Sequence, residues 1–205
     1  MDGIDHEILN KLPLNYRLVL LDIFNEMYQK SDYPPSWKEQ LLHFNPKSDG
    51  LNYRPISLLS CICKLFETLI KNRLQWYAEP NGLIPHYQSG FRKGQSCTDY
   101  ITNLTLTVEE GLKQKQHVLV TFLDITSAFD NVNSDILQQM LSDINCPSNL
   151  VKFVQYLTHE RQVESDSSVN SKRCIYKGVP QGEVLSPLLF ILYISKSHRI
   201  CLVAQ

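Results

Sequence analysis

The chain has 205 residues, 43% hydrophobic and 20% charged, which are the proportions of a globular domain able to bury a core rather than of a disordered segment. Twenty Lys and Arg stand against 21 Asp and Glu for a net charge of -1, so there is no global positive field for nucleic acid and any phosphate contact has to be local. The longest apolar stretches fall short of the roughly 20 residues of a membrane span, and the opening MDGIDHEILN lacks the basic-then-apolar pattern of a secretory leader, so an intracellular chain with no membrane partner is expected.

In chain order, residues 4–11 and 15–29 predict two helices. In the second, Leu18, Leu21, Ile23, Phe24 and Met27 form an apolar stripe, and Pro34-Pro35 stops any continuation. The segment WKEQLLHF over 37–44 suits a strand or a helix end, and the turn-rich PKSDG follows. After NYRP comes ISLLSCICKLFETLIKNRLQWY, where Leu58, Ile62, Leu65, Phe66, Leu69 and Leu74 recur at helical spacing until Pro80, Gly82 and Pro85 end the run. Between 47 and 93 seven basic residues face three acidic ones, a local excess that suits phosphates or, equally, a plain solvated helix face.

The glycine-flanked loop GFRKGQS matches no Walker or Rossmann pattern, and a helix follows over 98–111, with Ile101, Leu104 and Val108 at three- and four-residue steps. HVLVTFLDI over 117–125 predicts a central strand covered on both sides. Two further helices are expected. One is capped by Asn133 or Ser134 and carries Ile136, Leu137 and Met140; the other spans 149–157. The polar stretch 158–173 reads as a hairpin or loop, and the loop GVPQG leads into an apolar run over 184–194 with Pro187 near a helix start. The fold class implied is α+β. Six scattered cysteines and six scattered histidines offer no zinc spacing and no disulfide framework.

Asp124 is the sharpest single residue for chemistry, because it ends an apolar strand-like run where an unpaired charge is costly to bury. A divalent cation held by oxygen ligands offsets that cost, and a helix cap or salt bridge does so equally. Asp130 is no partner: six residues span about 20 Å of strand, or turn a helix through about 600° onto another face. Its expected role is to close the turn before the next helix. A glycosidase-type pair, with carboxyls within about 10 Å, is disfavoured by the same spacing.

Ordered motifs along nearly the whole chain resemble the reverse transcriptase domain of non-LTR (LINE-like) retrotransposons. They are DGIDHEILNKLP, DYPPSWKE, NYRPISLLSCICKLFETLIKNRL, HYQSGFRKGQSCTD, VTFLDITSAFDNVN and GVPQGEVLSPLLFILYI. The resemblance implies a right-hand polymerase fold, with an N-terminal extension and fingers over 1–117 and part of a palm over 118–205. It also implies RNA-directed DNA polymerase activity, in which an RNA template, a DNA primer and deoxynucleoside triphosphates are the partners and two Mg²⁺ ions the cofactors.

By resemblance, Asp124 is the first catalytic aspartate and a metal ligand, helped by the backbone carbonyl of Ile125. Phe129 is the aromatic gate under the sugar, and Gln181 and Gly182 face the incoming nucleotide. Arg54 and Lys64 are the fingers positions that meet the triphosphate, while Gln88, Arg92 and Lys93 contact the template backbone. The physical demand agrees: phosphoryl transfer needs metals to clamp the attacking and leaving oxygens and cations to balance triphosphate charge.

The resemblance further implies a Tyr/Phe-Ala-Asp-Asp turn on a later hairpin. No such motif occurs before Gln205, so the expectation is fingers and partial palm without a thumb, an incomplete metal site and an inactive isolated fragment. The alternative expectations are a non-catalytic remnant binding RNA or template-primer through 47–93, and a decayed remnant that does not fold stably. Departures from the family pattern are the shortened PKSDGLNYRP junction, Ser127 where lysine is common, and Glu183 where a small residue follows PQG. Glu183 is expected to place negative charge near the nucleotide and weaken triphosphate binding by repulsion.

Overall fold

The structure, a computed structural model, describes residues 4–47, 53–159, 161–165 and 173–197. Its elements are α1 (His6–Lys11), α2 (Leu14–Lys30), a 3₁₀ turn (Pro35–Lys38), β1 (Glu39–Pro46), β2 (Tyr53–Leu58), α3 (Cys61–Ala78), α4 (Cys97–Lys113), α5 (Ser134–Asp143), α6 (Ser148–Thr158), β3 (Arg161–Ser165), β4 (Arg173–Ile175) and α7 (Ser186–Ser197). The turn expected at PKSDG lies partly, and the terminal CLVAQ wholly, outside the described residues.

Helix starts follow their capping residues. The Ser60 hydroxyl accepts the Cys63 N–H to open α3, Ser96 and Asp99 form a reciprocal capping box on α4, and the Asn133 side chain accepts from the second and third N–H groups of α5. The expected stripes hold for most of α3 and α5, where Ile62, Phe66, Leu69, Leu74 and Leu137 join the core and Met140 is buried, but those of α2 and α4 are turned. In α2 only Phe24 is buried, with Leu20, Met27 and Tyr28 packed beside it, while Leu18, Leu21 and Ile23 face out. The buried face of α3 is Cys63, Phe66, Glu67, Ile70, Leu74 and Ala78, and in α4 Ile101 is exposed while Gly111 alone is buried.

WKEQLLHF resolves into a strand from Glu39 onward, and YRPISL, whose Leu58 the helical spacing assigns to the following helix, forms β2 instead. The sheet order is β2-β1-β3-β4, with β1 antiparallel to β2, parallel to β3, and β3 antiparallel to β4. Pro55 is tolerated because β2 is an edge strand, where a missing N–H leaves no central ladder broken. The β3–β4 pair is the hairpin or loop expected over 158–173.

The expected central strand over 117–125 does not form. These residues have no regular secondary structure, and Leu119, Phe122 and Leu123 are 91, 82 and 88% exposed. A strand needs a neighbour for its N–H and C=O ladder, and the four paired strands of the described residues do not include this segment. The core instead joins α2, α3, α5, α6 and α7, centred on Phe66 against Phe24, Trp37 and Phe153.

Candidate functional site

Strand alternation puts Gln40, Leu42, Pro55, Ser57, Arg161 and Val163 on one face of the sheet, since directly paired residues share a side. The segment 177–183 lies against this face and is tied there at both ends. The Ser57 N–H donates to the Gln181 carbonyl at 2.7 Å, the Gly178 N–H to Val132 at 2.9 Å and the Val179 N–H to Phe129 at 2.9 Å. The Arg161 guanidinium donates to the carbonyls of Lys177 and Gly178 at 3.0 and 3.1 Å. Two glycines make these approaches possible. Gly178, at φ +82, would put a Cβ 2.9 Å from the Asp130 Cα, and Gly182, at φ +105, would put one 2.7 Å from the Ser57 carbonyl oxygen. A cavity of ≈ 280 Å³ opens between loop and sheet, with Gln40, Ser57, Asp130, Arg161, Lys177 and Gln181 among its walls.

The loop therefore brings three of the expected site residues, Phe129, Gln181 and Gly182, onto one scaffold. The Phe129 ring stacks on Phe190 of α7 at 5.0 Å and meets Phe91 edge-on at 6.4 Å, which fixes its plane. Arg54 is exposed on β2, three residues before Ser57. Asp124 and Ile125 stand on the exposed extended segment, followed by a turn over 126–131 in which Ser127 takes φ 50 and Asn131 bonds back to Ser127 and Thr126. Asp130 lies within that turn, its backbone against Gly178, while the bonds that close the turn come from Asn131 and Val132.

The remaining expected residues are spread out. Lys64 lines a groove with His6, Arg17 and Val184. Gln88 donates to the Gly90 carbonyl at 3.2 Å, and Lys93 lies exposed beside Trp76 and Gln95. Arg92 forks onto the Glu79 carboxylate at 2.7 to 3.1 Å and donates to the Pro85 carbonyl, which folds the GFRKG loop back on the end of α3.

Glu183 corrects the charge expectation. Its side chain is 4% exposed and turned inward, where its Oε1 accepts from Gln40 Nε2 at 2.5 Å, and the Ser57 hydroxyl donates to Gln40 Oε1 at 3.0 Å. Glu67 of α3 is 1% exposed beside it, its Oε2 accepting the Val184 N–H at 3.0 Å and its Oε1 a long contact of 3.8 Å from the Cys63 thiol. Burial pushes the Glu67 carboxyl up to about 7, against the pull of the Val184 N–H. Burial and the neighbouring Glu67 charge also push Glu183 well above the usual carboxylate range, with Arg161 opposing. Burial also raises Cys63 and Tyr33, which are inert at neutral pH. Sequence reasoning missed Gln40, Ser57 and Glu67. The signal for Glu67 was available, because it falls on the same helical face as Cys63, Ile70 and Leu74.

Among the described residues no group of three or more His, Cys, Asp or Glu side chains could hold a metal ion. Asp124 and the Ile125 carbonyl could supply two oxygens to one hard cation, a donor set too small for a two-ion centre.

The sequence profile described as Reverse transcriptase (RNA-dependent DNA polymerase) matches residues 45–203. The chain belongs to the reverse transcriptase family. It is similar to the probable RNA-directed DNA polymerase from transposon BS of Drosophila melanogaster, 32% identical over 199 residues covering 94% of this chain and 22% of that protein. It is also similar to the RNA-directed DNA polymerase from mobile element jockey of the same organism, 31% identical over 201 residues, 95% of this chain and 22% of that protein. These relatives bear out the resemblance to mobile-element reverse transcriptases drawn from the motifs, and the chain spans about a fifth of their length. Among solved structures, the apo telomerase of Candida tropicalis, truncated from its C-terminal domain, matches 84% of this chain and 42% of that one with TM-score 0.55 and 14% identity, a likeness of fold. No described helix is long and apolar enough to cross a membrane.

Proposed function

We propose that this chain forms the nucleotide- and template-gripping part of an RNA-directed DNA polymerase acting on deoxynucleoside triphosphates, an RNA template and a DNA primer, with Mg²⁺ as the metal. The observation that carries the reading is the loop 177–183, which ties the Phe129 turn to β2 and so gathers motifs more than 100 residues apart in sequence. In this reading residues 1–117 are the N-terminal extension and fingers and 118–205 part of the palm of a right-hand fold. Gln181 and Gly182 present the loop backbone to the nucleotide, Phe129 lies under the sugar, and Arg54 and Lys64 balance phosphate charge. Gln88 and Lys93 follow the template backbone, joined by Arg92 where it can leave Glu79. Asp124 and the Ile125 carbonyl contribute one edge of the metal centre.

The test is equilibrium binding of a Mg²⁺-deoxynucleoside triphosphate to the purified chain. Arg54→Ala and Lys64→Ala are each expected to weaken binding about tenfold, the effect of losing one charged contact. Phe129→Ala is expected to narrow the preference for deoxy over ribo triphosphate. Equal affinity in wild type and all three variants would overturn the reading.

A further inference from the structure

The buried carboxyl pair behind the loop is used by none of the roles above. We infer that Glu67 is the positioning residue of this loop: carried by α3, it caps the start of α7 from another helix and, with Glu183 and Gln40, locks Gln181 and Gly182 against β2. The proposal rests on the reading that Gln181 and Gly182 meet the nucleotide.

The first N–H groups of a helix have no partner inside it, and α7 has no capping side chain of its own, because the residue before Ser186 is Leu185. Glu67 fills that gap. Its carboxylate accepts the Val184 N–H at 3.0 Å and lies near the Leu185 N–H, which sets negative charge toward the positive end of the α7 dipole. From the other side Glu183 is held by Gln40, Gln40 by the Ser57 hydroxyl, and the Ser57 N–H by the Gln181 carbonyl. The four consecutive residues Gln181, Gly182, Glu183 and Val184 are thus gripped in turn by β2, by the bare backbone contact at Gly182, by β1 and by α3.

The grip depends on protonation. Two carboxyls this deeply buried do not both ionise, and Glu183 Oε2, which has no partner among the described residues, is the natural seat of a proton. Facing the pair are Lys64 and Cys63 from α3, Tyr33 from the turn after α2, Arg161 from β3 and Ser186 from α7. Arg161 and Lys64 favour ionisation while burial and mutual repulsion oppose it. As pH rises and the second proton leaves, repulsion acts on Glu183 and through it on the loop.

The experiment is residue-resolved amide exchange of the full chain without nucleotide, in wild type, Glu67→Gln, Glu67→Leu and Gln40→Leu. Glu67→Leu is expected to speed exchange at Val184 and Leu185 about tenfold or more, because a buried N–H loses its acceptor, while amides of α2 and α6 keep wild-type rates. Glu67→Gln keeps an acceptor and is expected to hold both amides near wild type while removing the rise of their exchange with pH beyond that of the free amide. Gln40→Leu is expected to speed exchange around Glu183 even if Glu67→Leu does not fold. Unchanged rates at 181–185, or a uniform rise across all helices, would overturn the proposal. Nucleotide affinity is read separately: if wild type binds no triphosphate the functional reading fails, whereas exchange still decides the role of Glu67.

Discussion

Two apolar runs of similar composition meet opposite fates. In α7, Leu188, Leu189 and Ile191 are at most 1% exposed, whereas in 118–125 Leu119, Phe122 and Leu123 lie almost fully open. The helix satisfies its own backbone, so it needs only a place to pack, and the Glu67 carboxylate supplies even the cap it lacks. The extended run cannot satisfy its backbone alone, and burial waits on a neighbour. The same split divides the candidate site: the loop bearing Gln181 and Gly182 is bolted to the core, while Asp124 stands on the unburied run.

The largest effect that tests this division belongs to the core under the loop. Phe66, 2% exposed and in contact with the rings of Phe24, Trp37 and Phe153, should cost about 4 kcal/mol when cut to Ala, read as the free energy of urea unfolding. A loss below about 1 kcal/mol would mean that the helices are not packed as described. Next comes the loop itself. Gly182→Ala should cost about 3 kcal/mol, since it adds a left-side φ of +105 and a Cβ against the Ser57 carbonyl. The control Gly94→Ala, at φ +76 with nothing within 4 Å, should lose only about 1 kcal/mol. Equal losses would show that the loop does not touch β2.

A smaller effect concerns pH. The Glu67 carboxyl titrates at about 7 in the fold against its ordinary 4.5, so its stabilising proton is fully present below about 4.5 and is lost as pH rises through about 7. Glu183 is raised by burial as well, so its proton too stabilises the fold at low pH and is lost as pH rises. Wild type should therefore lose on the order of 2 kcal/mol between pH 5 and pH 8 relative to Glu67→Gln, whose profile is flatter. Parallel profiles would show that the pair is solvated.

How much of this was legible in sequence depends on the range of the forces involved. Helices α2 through α7 announce themselves by local signals, such as Ser96 with Asp99, Asn133, and the prolines after α2 and α3. Which face is buried is settled by neighbours, which is why Leu18 and Leu21 turn outward and Leu20 inward. Strand β2 was hidden because Leu58 fits the helical spacing of the residues after it, and only pairing with β1 decides its state. The family resemblance singles out Phe129, Gln181 and Gly182, and the loop geometry brings the three onto one scaffold. Glu183 was misread because sequence shows that a charge is present and not which way it points. Its neighbours Gln40 and Glu67 come from two distant segments, and Gln40 is held in turn by the Ser57 hydroxyl.

The smallest expected effect is the sharpest test of the exposed run. Phe122→Ser and Leu123→Ser replace residues that are 82 and 88% exposed, so neither should change the unfolding free energy by more than about 0.5 kcal/mol, in contrast to Phe66→Ala. What they should change is association, because a stretch combining Val118, Leu119, Val120, Phe122 and Leu123 with an unpaired backbone is a ready edge for another chain. Sedimentation of the double variant should show less self-association than wild type at equal concentration. If the double variant instead loses more than about 1 kcal/mol, the run is packed in solution, and Asp124 sits on a surface as firm as the loop bearing Gln181.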